Sequence, residues 1–355
     1  MTIKVLIVDD SALVRSLLSE IVRKAPGFTL VGAAPDAFVA RDMVKEFAPD
    51  VITLDIEMPR MDGLSFLEKL MTARPTPVVM ISTLTEAGAD ATLQALELGA
   101  VDFVPKPKLG IAEGLREYSE LILEKLEAAA RVKVRALKKS PAREASKAGE
   151  KVSASRLQST EKIIAIGAST GGTEAIKEVL LQLPAAVPGI VMTQHMPAGF
   201  TQTFAERLNK LTKLHVSEAK GGERILPGHA YLAPGGFHLR VTRSGADYII
   251  KLSDAEPVHR HRPAVDVMME SVAIAGGKNV IGVLLTGMGK DGAKGMLDIR
   301  DHGGFTFAQD ENSCVVYGMP KEAVHVGGVD KVVELSKMGD AILEKLKAMG
   351  SGNRL

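Results

Sequence analysis

The sequence predicts two α/β units in tandem, the first a doubly wound parallel sheet of five βα repeats and the second a mainly parallel α/β domain. Three observations predict this. Five short apolar runs alternate with helical patterns over residues 1–127, a Ser-, Ala- and Lys-rich stretch fills 128–160, and strand–helix alternation resumes from residue 161. A chain of 355 residues is long enough for about two domains.

The elements of the first unit follow in order. KVLIV is a buried-strand run, and Ser11 is placed to cap a helix in which Leu13, Leu17 and Ile21 recur at helical spacing. TLVGA, VITLDI, VVMIS and VDFVP are four further strands, with helices around 36–47, 64–73, 87–98 and 113–127. Regular alternation of this kind argues for a parallel sheet covered on both faces. Sites in such sheets lie at the carboxyl ends of the strands.

Composition narrows the function classes. The net charge of +1 hides an acidic region (residues 1–127, balance −7), a basic one (128–160, +7) and a nearly neutral one (161–355, +1). A uniformly basic field for nucleic acid is therefore excluded, and with aromatics at 4% and no Trp, base-stacking platforms are disfavoured. The basic stretch lacks the apolar side chains to offset its ordering entropy and reads as a flexible linker, although its charge would also suit a polyanion. A single cysteine, Cys314, leaves no disulfide framework or multi-cysteine zinc site. No run reaches membrane-span length, and the start turns acidic too early for a signal peptide, so a cytoplasmic protein without direct membrane insertion is expected.

Polar residues gather at the strand ends of the first unit. Asp9 and Asp10 close the first strand, Asp55 the third, Ser82 the fourth and Lys106 the fifth. Converging carboxylates repel unless a cation intervenes, and oxygen ligands in this number suit Mg²⁺, with Asp9, Asp10 and Asp55 as its ligands. Asp55 is then the nucleophile that forms an acyl phosphate, with Lys106 supplying positive charge and Ser82 a hydroxyl to the phosphoryl group. Helix capping alone would explain one such residue more readily than four strand ends together. The segments VDD, LDIEMPRMDG, MIS and VPKP resemble those of a response-regulator receiver domain over the whole first unit. That resemblance implies a flavodoxin-like fold, phosphotransfer from a histidine kinase to Asp55, and two-state coupling of Ser82 to phosphorylation.

The second unit opens with KIIAIGASTGGTEAIKEVLLQLP, a strand, a glycine-flanked turn and an amphipathic helix. Gly167–Gly171 has the G-x-S-x-G spacing of a turn that exposes a serine hydroxyl, here Ser169, at a helix start. Such turns also cradle nucleotide phosphates, but this one lacks a P-loop lysine, and GASTGG does not fit G-x-G-x-x-G. Serine needs a base. His195, at the end of the strand GIVMTQ, has the best context of eight histidines. His302 suits a helix cap, His215, His229, His238 and His325 suit structural roles, and His259 and His261 flank Arg260 on a segment suited to an acidic surface or to solvent. No metal-ligand spacing stands out. Asp291, in the loop after NVIGVLLTGMG, is placed to orient the imidazole, or else to cap a helix starting near Gly292. The Met288 amide is a candidate oxyanion donor and Thr170 a support for the nucleophile. The order Ser169, His195, Asp291 is not that of α/β-hydrolases, and a hairpin-like excursion is expected over 229–252.

IGASTGG, QHMP, AYLAPGG, HRHRPAVDVM and LLTGMGKDGA resemble the catalytic domain of the chemotaxis protein-glutamate methylesterase family. With the receiver, the resemblance covers both units and leaves the 128–160 linker and the end of the chain uninformative; the expected catalytic domain is 161–349, with a tail at 350–355. It implies hydrolysis of glutamate 5-methyl esters on methylated chemoreceptors and deamidation of particular glutamines. Two complete sites joined by a tether further predict that the unphosphorylated receiver covers or restrains the esterase site and that phosphorylation of Asp55 relieves this. The esterase chemistry would need no cofactor. A DNA-binding regulator and a nucleotide-binding scaffold are the competing classes; the first has no evident helix-turn-helix behind it.

Overall fold

The computed structural model describes residues 2–83, 85–106, 112–132, 134 and 161–351. Most of the predicted 128–160 linker and the predicted tail lie outside the described residues. The chain divides into two compact units, Met1–Glu144 and Ala145–Leu355.

In the first unit, β1 (Ile3–Val8), β2 (Phe28–Ala34), β3 (Val51–Asp55), β4 (Val78–Ser82) and β5 (Asp102–Pro105) alternate with α1 (Ala12–Lys24), α2 (Ala37–Phe47), α3 (Gly63–Ala73), α4 (Glu86–Glu97) and α5 (Ala112–Ala130). All neighbours are parallel, in the order β2-β1-β3-β4-β5. The direction of winding reverses between β1 and β3, so the crevice at their carboxyl ends is where a ligand site belongs. Ser11 caps α1 by accepting from the Val14 amide. The buried stripe of α1 differs from expectation: Val14, Leu18, Ile21 and Val22 face the sheet, while Leu13 is 57% exposed. Position 14, with its i+4, i+7 and i+8 partners, meets the sheet, and this turns Leu13 to solvent. α5 also continues past residue 127 to Ala130, because Ala128 and Ala129 are buried and favour helix.

The second unit is built on seven parallel strands in the order β14-β13-β12-β6-β7-β9-β8. They are β6 (Ile163–Ala168), β7 (Gly189–Gln194), β8 (His215–Glu218), β9 (His229–Leu232), β12 (Val280–Leu284), β13 (Phe305–Gln309) and β14 (Lys331–Val333). The helices are α6 (Gly172–Gln182), α7 (Phe200–Leu211), α8 (Val265–Gly276), α9 (Ala293–Asp301), α10 (Met319–His325) and α11 (Met338–Ser351). Winding runs from β6 outward through β7 and later returns to β12 on the other side of β6. The switch point therefore falls at the central strands β12, β6 and β7.

The expected excursion over 229–252 is only partly a hairpin. β9 is a parallel strand of the main sheet between β7 and β8, because its Ala230, Tyr231 and Leu232 are needed in the core. The antiparallel ribbon is β10 (His238–Ser244) with β11 (Asp247–Ser253). Its Leu239, Val241, Tyr248 and Ile250 share one buried cluster with Met268, Met269 and Val272 of α8. The Val241 amide also donates to Ser271 Oγ at 2.9 Å. The ribbon thus buttresses the helix whose N-terminus enters the site.

Candidate functional site

At the carboxyl edge of the first sheet, β1 and β3 end beside each other and bring Asp9, Asp10 and Asp55 together, with ligand atoms all within 4.8 Å of one another. Lys106 Nζ lies 2.7 Å from Asp55 Oδ2 and 3.6 Å from Asp9 Oδ2. Asp9 Oδ1 accepts from the Ser11 amide, whereas its buried Oδ2 accepts no hydrogen bond among the described residues. Burial is the main force raising the Asp55 carboxyl to about 6, with repulsion from Asp9 adding to it and Lys106 opposing it. Burial also raises Asp9 against the pull of Lys106. Two desolvated carboxylates share one ammonium, and one of their own oxygens, Asp9 Oδ2, is left open; this donor set fits a hard divalent cation. Ser82 is buried at the same edge, but its hydroxyl is turned toward α4. It donates toward Gly88 O at 3.2 Å and accepts from Thr92 Oγ1 at 2.7 Å, so the structure does not bring it onto Asp55.

In the second unit, three adjacent strands end together. β6 leads into Ser169, which is 7% exposed, and Gly171 (φ +76°) starts α6 two residues later. β7 leads into His195, and β12 into the loop carrying Asp291. His195 Nδ1 lies 3.1 Å from Ser169 Oγ, and Nε2 lies 2.7 Å from Asp291 Oδ2. An ionised carboxylate only accepts, so the Nε2 position carries the hydrogen and Nδ1 is left as the acceptor facing the serine hydroxyl.

Asp291 does not cap α9, whose N-cap is Gly292. It instead sits at the N-terminus of α8, where Val265 N–H donates to Oδ2 at 2.7 Å and Asp266 N–H to Oδ1 at 2.9 Å. Burial alone would raise its pKa, but the hydrogen bond and charge of His195 and these two amides outweigh it and hold the carboxyl below its usual range.

The Ser169 amide is occupied, donating to Thr286 O at 3.0 Å. It is therefore not turned toward a reacting carbonyl. Gly287 packs directly on the serine: a Cβ there would lie 2.8 Å from Ser169 Cβ, so a side chain would displace the nucleophile. Met288 follows, half-buried, and its amide makes no hydrogen bond among the described residues. Thr170 is buried, and its carbonyl accepts from Thr286 Oγ1 at 3.0 Å.

In the segment read as suited to an acidic surface or to solvent, His259 and Arg260 are exposed, and His261 is partly buried. His259 (φ +52°) and Arg260 (φ +67°) turn the chain back, and Val258 and His261 exchange backbone hydrogen bonds at 3.1 and 2.9 Å. The His261 ring then stacks on His195, with centroids 3.6 Å apart and planes at 15°. His259 Nε2 lies 3.0 Å from Asp266 Oδ2. His259, Asp266 and Asp291 bring ligand atoms within 4.8 Å, a convergence across 32 residues that local spacing did not show. The donors around them are already engaged, since Asp266 Oδ1 also accepts from Gly295 N–H at 2.7 Å. His302 bonds the Asp298 carbonyl at the end of α9, and buried His238 bridges Glu256 O and the Ala264 amide.

Gln194, Thr286, Asp266 and Val265 are contacts that the sequence reading missed. Their contributions are main-chain bonds or reach across the fold, and only the QHMP segment hinted at the first. Among the described residues no helix is long and apolar enough to cross a membrane.

Residues 164–342 match the model for CheB methylesterase, and residues 5–112 that for the response regulator receiver domain. The chain is 61% identical, over the full length of both proteins, to a Pseudomonas aeruginosa protein-glutamate methylesterase/protein-glutamine glutaminase 2. It is 57% identical over 346 residues to the Salmonella typhimurium protein-glutamate methylesterase/protein-glutamine glutaminase, covering 98% of this chain and 97% of that one. The crystal structure of the Thermotoga maritima CheB methylesterase catalytic domain aligns with a TM-score of 0.50 at 40% identity, covering 53% of this chain and 98% of that one. The arrangement of strands, the pairing of Ser169 with His195 and these matches agree: the chain belongs to the CheB methylesterase family and carries a response regulator receiver domain at its N-terminus.

Proposed function

We propose that the protein is a protein-glutamate methylesterase and protein-glutamine glutaminase controlled by phosphorylation of its receiver. The observation that carries this reading is the Ser169–His195–Asp291 chain of hydrogen bonds at the ends of three adjacent strands. Ser169 Oγ attacks the side-chain carbonyl of a methylated glutamate while its proton passes to His195 Nδ1. Asp291 stabilises the resulting imidazolium through Nε2–H. The Met288 amide is the oxyanion donor, supported by the fixed backbone at Thr170. Collapse of the tetrahedral adduct breaks the C–O bond, and His195 gives its proton to the departing methoxide. Water then attacks the acyl-serine, with His195 as base, and releases glutamate. A glutamine enters by the same route and loses ammonia.

In the receiver, Asp55 is the phosphoacceptor and a histidine kinase the phosphodonor. A Mg²⁺ held by Asp9, Asp10 and Asp55 would neutralise the carboxylates and the incoming phosphoryl oxygens. Lys106 supplies a further charge. The phosphoryl group must draw Ser82 away from Gly88 and Thr92, which gives α4 a reason to respond. The unphosphorylated receiver restrains the esterase, and methylated chemoreceptors are the substrate.

Methanol release from methylated receptor membranes tests the enzymatic reading: wild type should release methanol and Ser169→Ala should not. Persistent release from the alanine variant would falsify the assigned nucleophile. Regulation is read by comparing the intact chain with residues 161–355. Equal rates, with no response of the intact chain to a phosphodonor, would remove the restraint.

A further inference from the structure

The strand ladder between β6 and β7 stops one residue before the proposed catalytic serine. Its last register pair is Ala168 with Gln194, and the last rung is the His195 amide donating to Ala168 O at 3.2 Å. Beyond that rung the two chains part. The Ser169 amide turns toward Thr286 O on the other side, so the Ala168 rung is the ladder's last tie between the two chains and none of its bonds reaches the Ser169 or His195 carbonyl; the Ser169 carbonyl accepts instead from Gly172 N–H at 2.7 Å.

One side chain fills this gap. Gln194 is 4% exposed, and its Nε2 donates to Ser169 O at 2.9 Å and to His195 O at 3.3 Å. The orientation of the amide is set by chemistry, since two carbonyl oxygens can be met only by the NH₂ end. Its Oε1 is consequently left buried and, among the described residues, without a hydrogen bond. The surroundings are shaped to this side chain. Gly172, at the first turn of α6, leaves room that a Cβ would close, lying 2.1 Å from Gln194 Oε1. Leaving a buried acceptor unmet costs free energy, so the gain must lie in what the donor end holds.

We propose that Gln194 is a positioning residue for the hydrolytic reaction, a side-chain rung that sets the distance from Ser169 Oγ to His195 Nδ1. It touches neither substrate nor reacting atoms and acts through the backbones of the nucleophile and the base. The proposal rests on the serine-hydrolase reading above. Proton transfer from serine requires the 3.1 Å contact to be maintained, and misplacing reacting groups by about 1 Å costs on the order of 100-fold in rate.

Three substitutions in the full-length protein test this: Gln194→Met, of similar shape without a donor; Gln194→Glu; and Ser169→Ala as the control. Methanol release from methylated receptor membranes gives kcat and KM, and labelling by a fluorophosphonate probe reports Ser169 reactivity without the ester. For Gln194→Met, kcat and labelling rate should both fall on the order of 10- to 100-fold, with KM within about twofold and the folded fraction by circular dichroism unchanged. Gln194→Glu presents a carboxylate to two carbonyls when ionised and an O–H donor when protonated. Its activity relative to wild type at the same pH should therefore climb as pH is lowered from 8 to 6.

Wild-type kcat and labelling in Gln194→Met, a loss carried wholly by KM, or a Gln194→Glu ratio flat with pH would each overturn the positioning role while leaving the hydrolase reading intact. A wild-type chain that neither releases methanol nor takes the label would overturn both.

Discussion

Asp55 and Asp291 make an instructive pair. Each ends a central parallel strand or its loop at a switch point, and each is almost wholly buried, at 1% and 2% exposure. Yet the fold raises one carboxyl to about 6 and holds the other below its usual range. The difference lies in the donors. Asp291 receives two amides from the start of α8 and a ring N–H from His195. Asp55 receives Lys106 and one long 3.4 Å contact from Glu57 N–H, and it shares that lysine with Asp9. Burial sets the cost of a charge, and the number of fixed donors decides whether that cost is met. A carboxylate fully supplied by protein donors suits a permanent electrostatic role in catalysis. One left short of donors suits a place where a cation and a phosphoryl group come and go.

The sharpest way to break this comparison is at the well-supplied end. Asp291→Asn keeps the shape but offers an NH₂ where His195 Nε2–H and two amides need acceptors. Methanol release should fall on the order of 10⁴-fold, because the imidazole loses its orienting acceptor. A loss under tenfold would show that the α8 amides, rather than the histidine, are what Asp291 serves.

The donor-poor end predicts the opposite response. Because the folded state raises Asp55 from 3.8 to about 6, its protonated form favours folding below about pH 4, and that contribution is lost as pH rises through 6. Asp55→Asn should therefore stabilise the receiver at pH 7.5 in chelator by up to about 3 kcal/mol, the energy equivalent of the shift, and by little at pH 4. Denaturant unfolding at the two pH values measures this. Mg²⁺ should give wild type a comparable gain and leave Asp55→Asn nearly unchanged.

Acid titration separates the two units further. The depressed carboxyl of Asp291 stabilises its unit above the ordinary carboxylate range and loses that contribution as pH falls through its folded value. Between pH 7 and 5 the receiver contribution from Asp55 should grow while that of Asp291 stays level; amide hydrogen exchange in β3 and in α8 would distinguish them. The smallest expected effect is at His261. Removing a stacked ring of this kind is worth about 1 kcal/mol, so His261→Ala should slow methanol release by roughly fivefold, with His261→Phe restoring most of it.

Much of the site could be read along the chain because strand-end residues in parallel sheets must converge. Asp9 and Asp55 stand at the ends of apolar runs that form central strands, as do Ser169 and His195, and Lys106 follows the edge strand β5. What resisted reading was whatever depends on which neighbour a residue meets. Leu13 has the same spacing as a core residue but falls one position away from the stripe that touches the sheet. AYLAPGG has hairpin-like neighbours, yet β9 joins the main sheet as an internal strand, paired in parallel with both β7 and β8. His261 looks like a solvated basic residue until two left-handed backbone positions turn its ring onto that of His195.

The sequence by itself pointed to the two-unit α/β architecture and placed candidate carboxylates, a serine and a histidine at strand ends, with Asp291 left between orienting the imidazole and capping a helix until the family resemblance was added. Those follow from hydrophobic period, turn chemistry and the direction of parallel strands, all of which are local. Only the tertiary structure decided the charge state favoured at Asp55 and Asp291, the turning of Ser82 toward α4, and the side-chain rung of Gln194. Asp291 and Gln194 depend on backbone amides and carbonyls of other segments, which carry no residue identity for a sequence to display; Asp55 and Ser82 depend on burial and on which side chains, Lys106, Asp9 and Thr92, the fold brings against them.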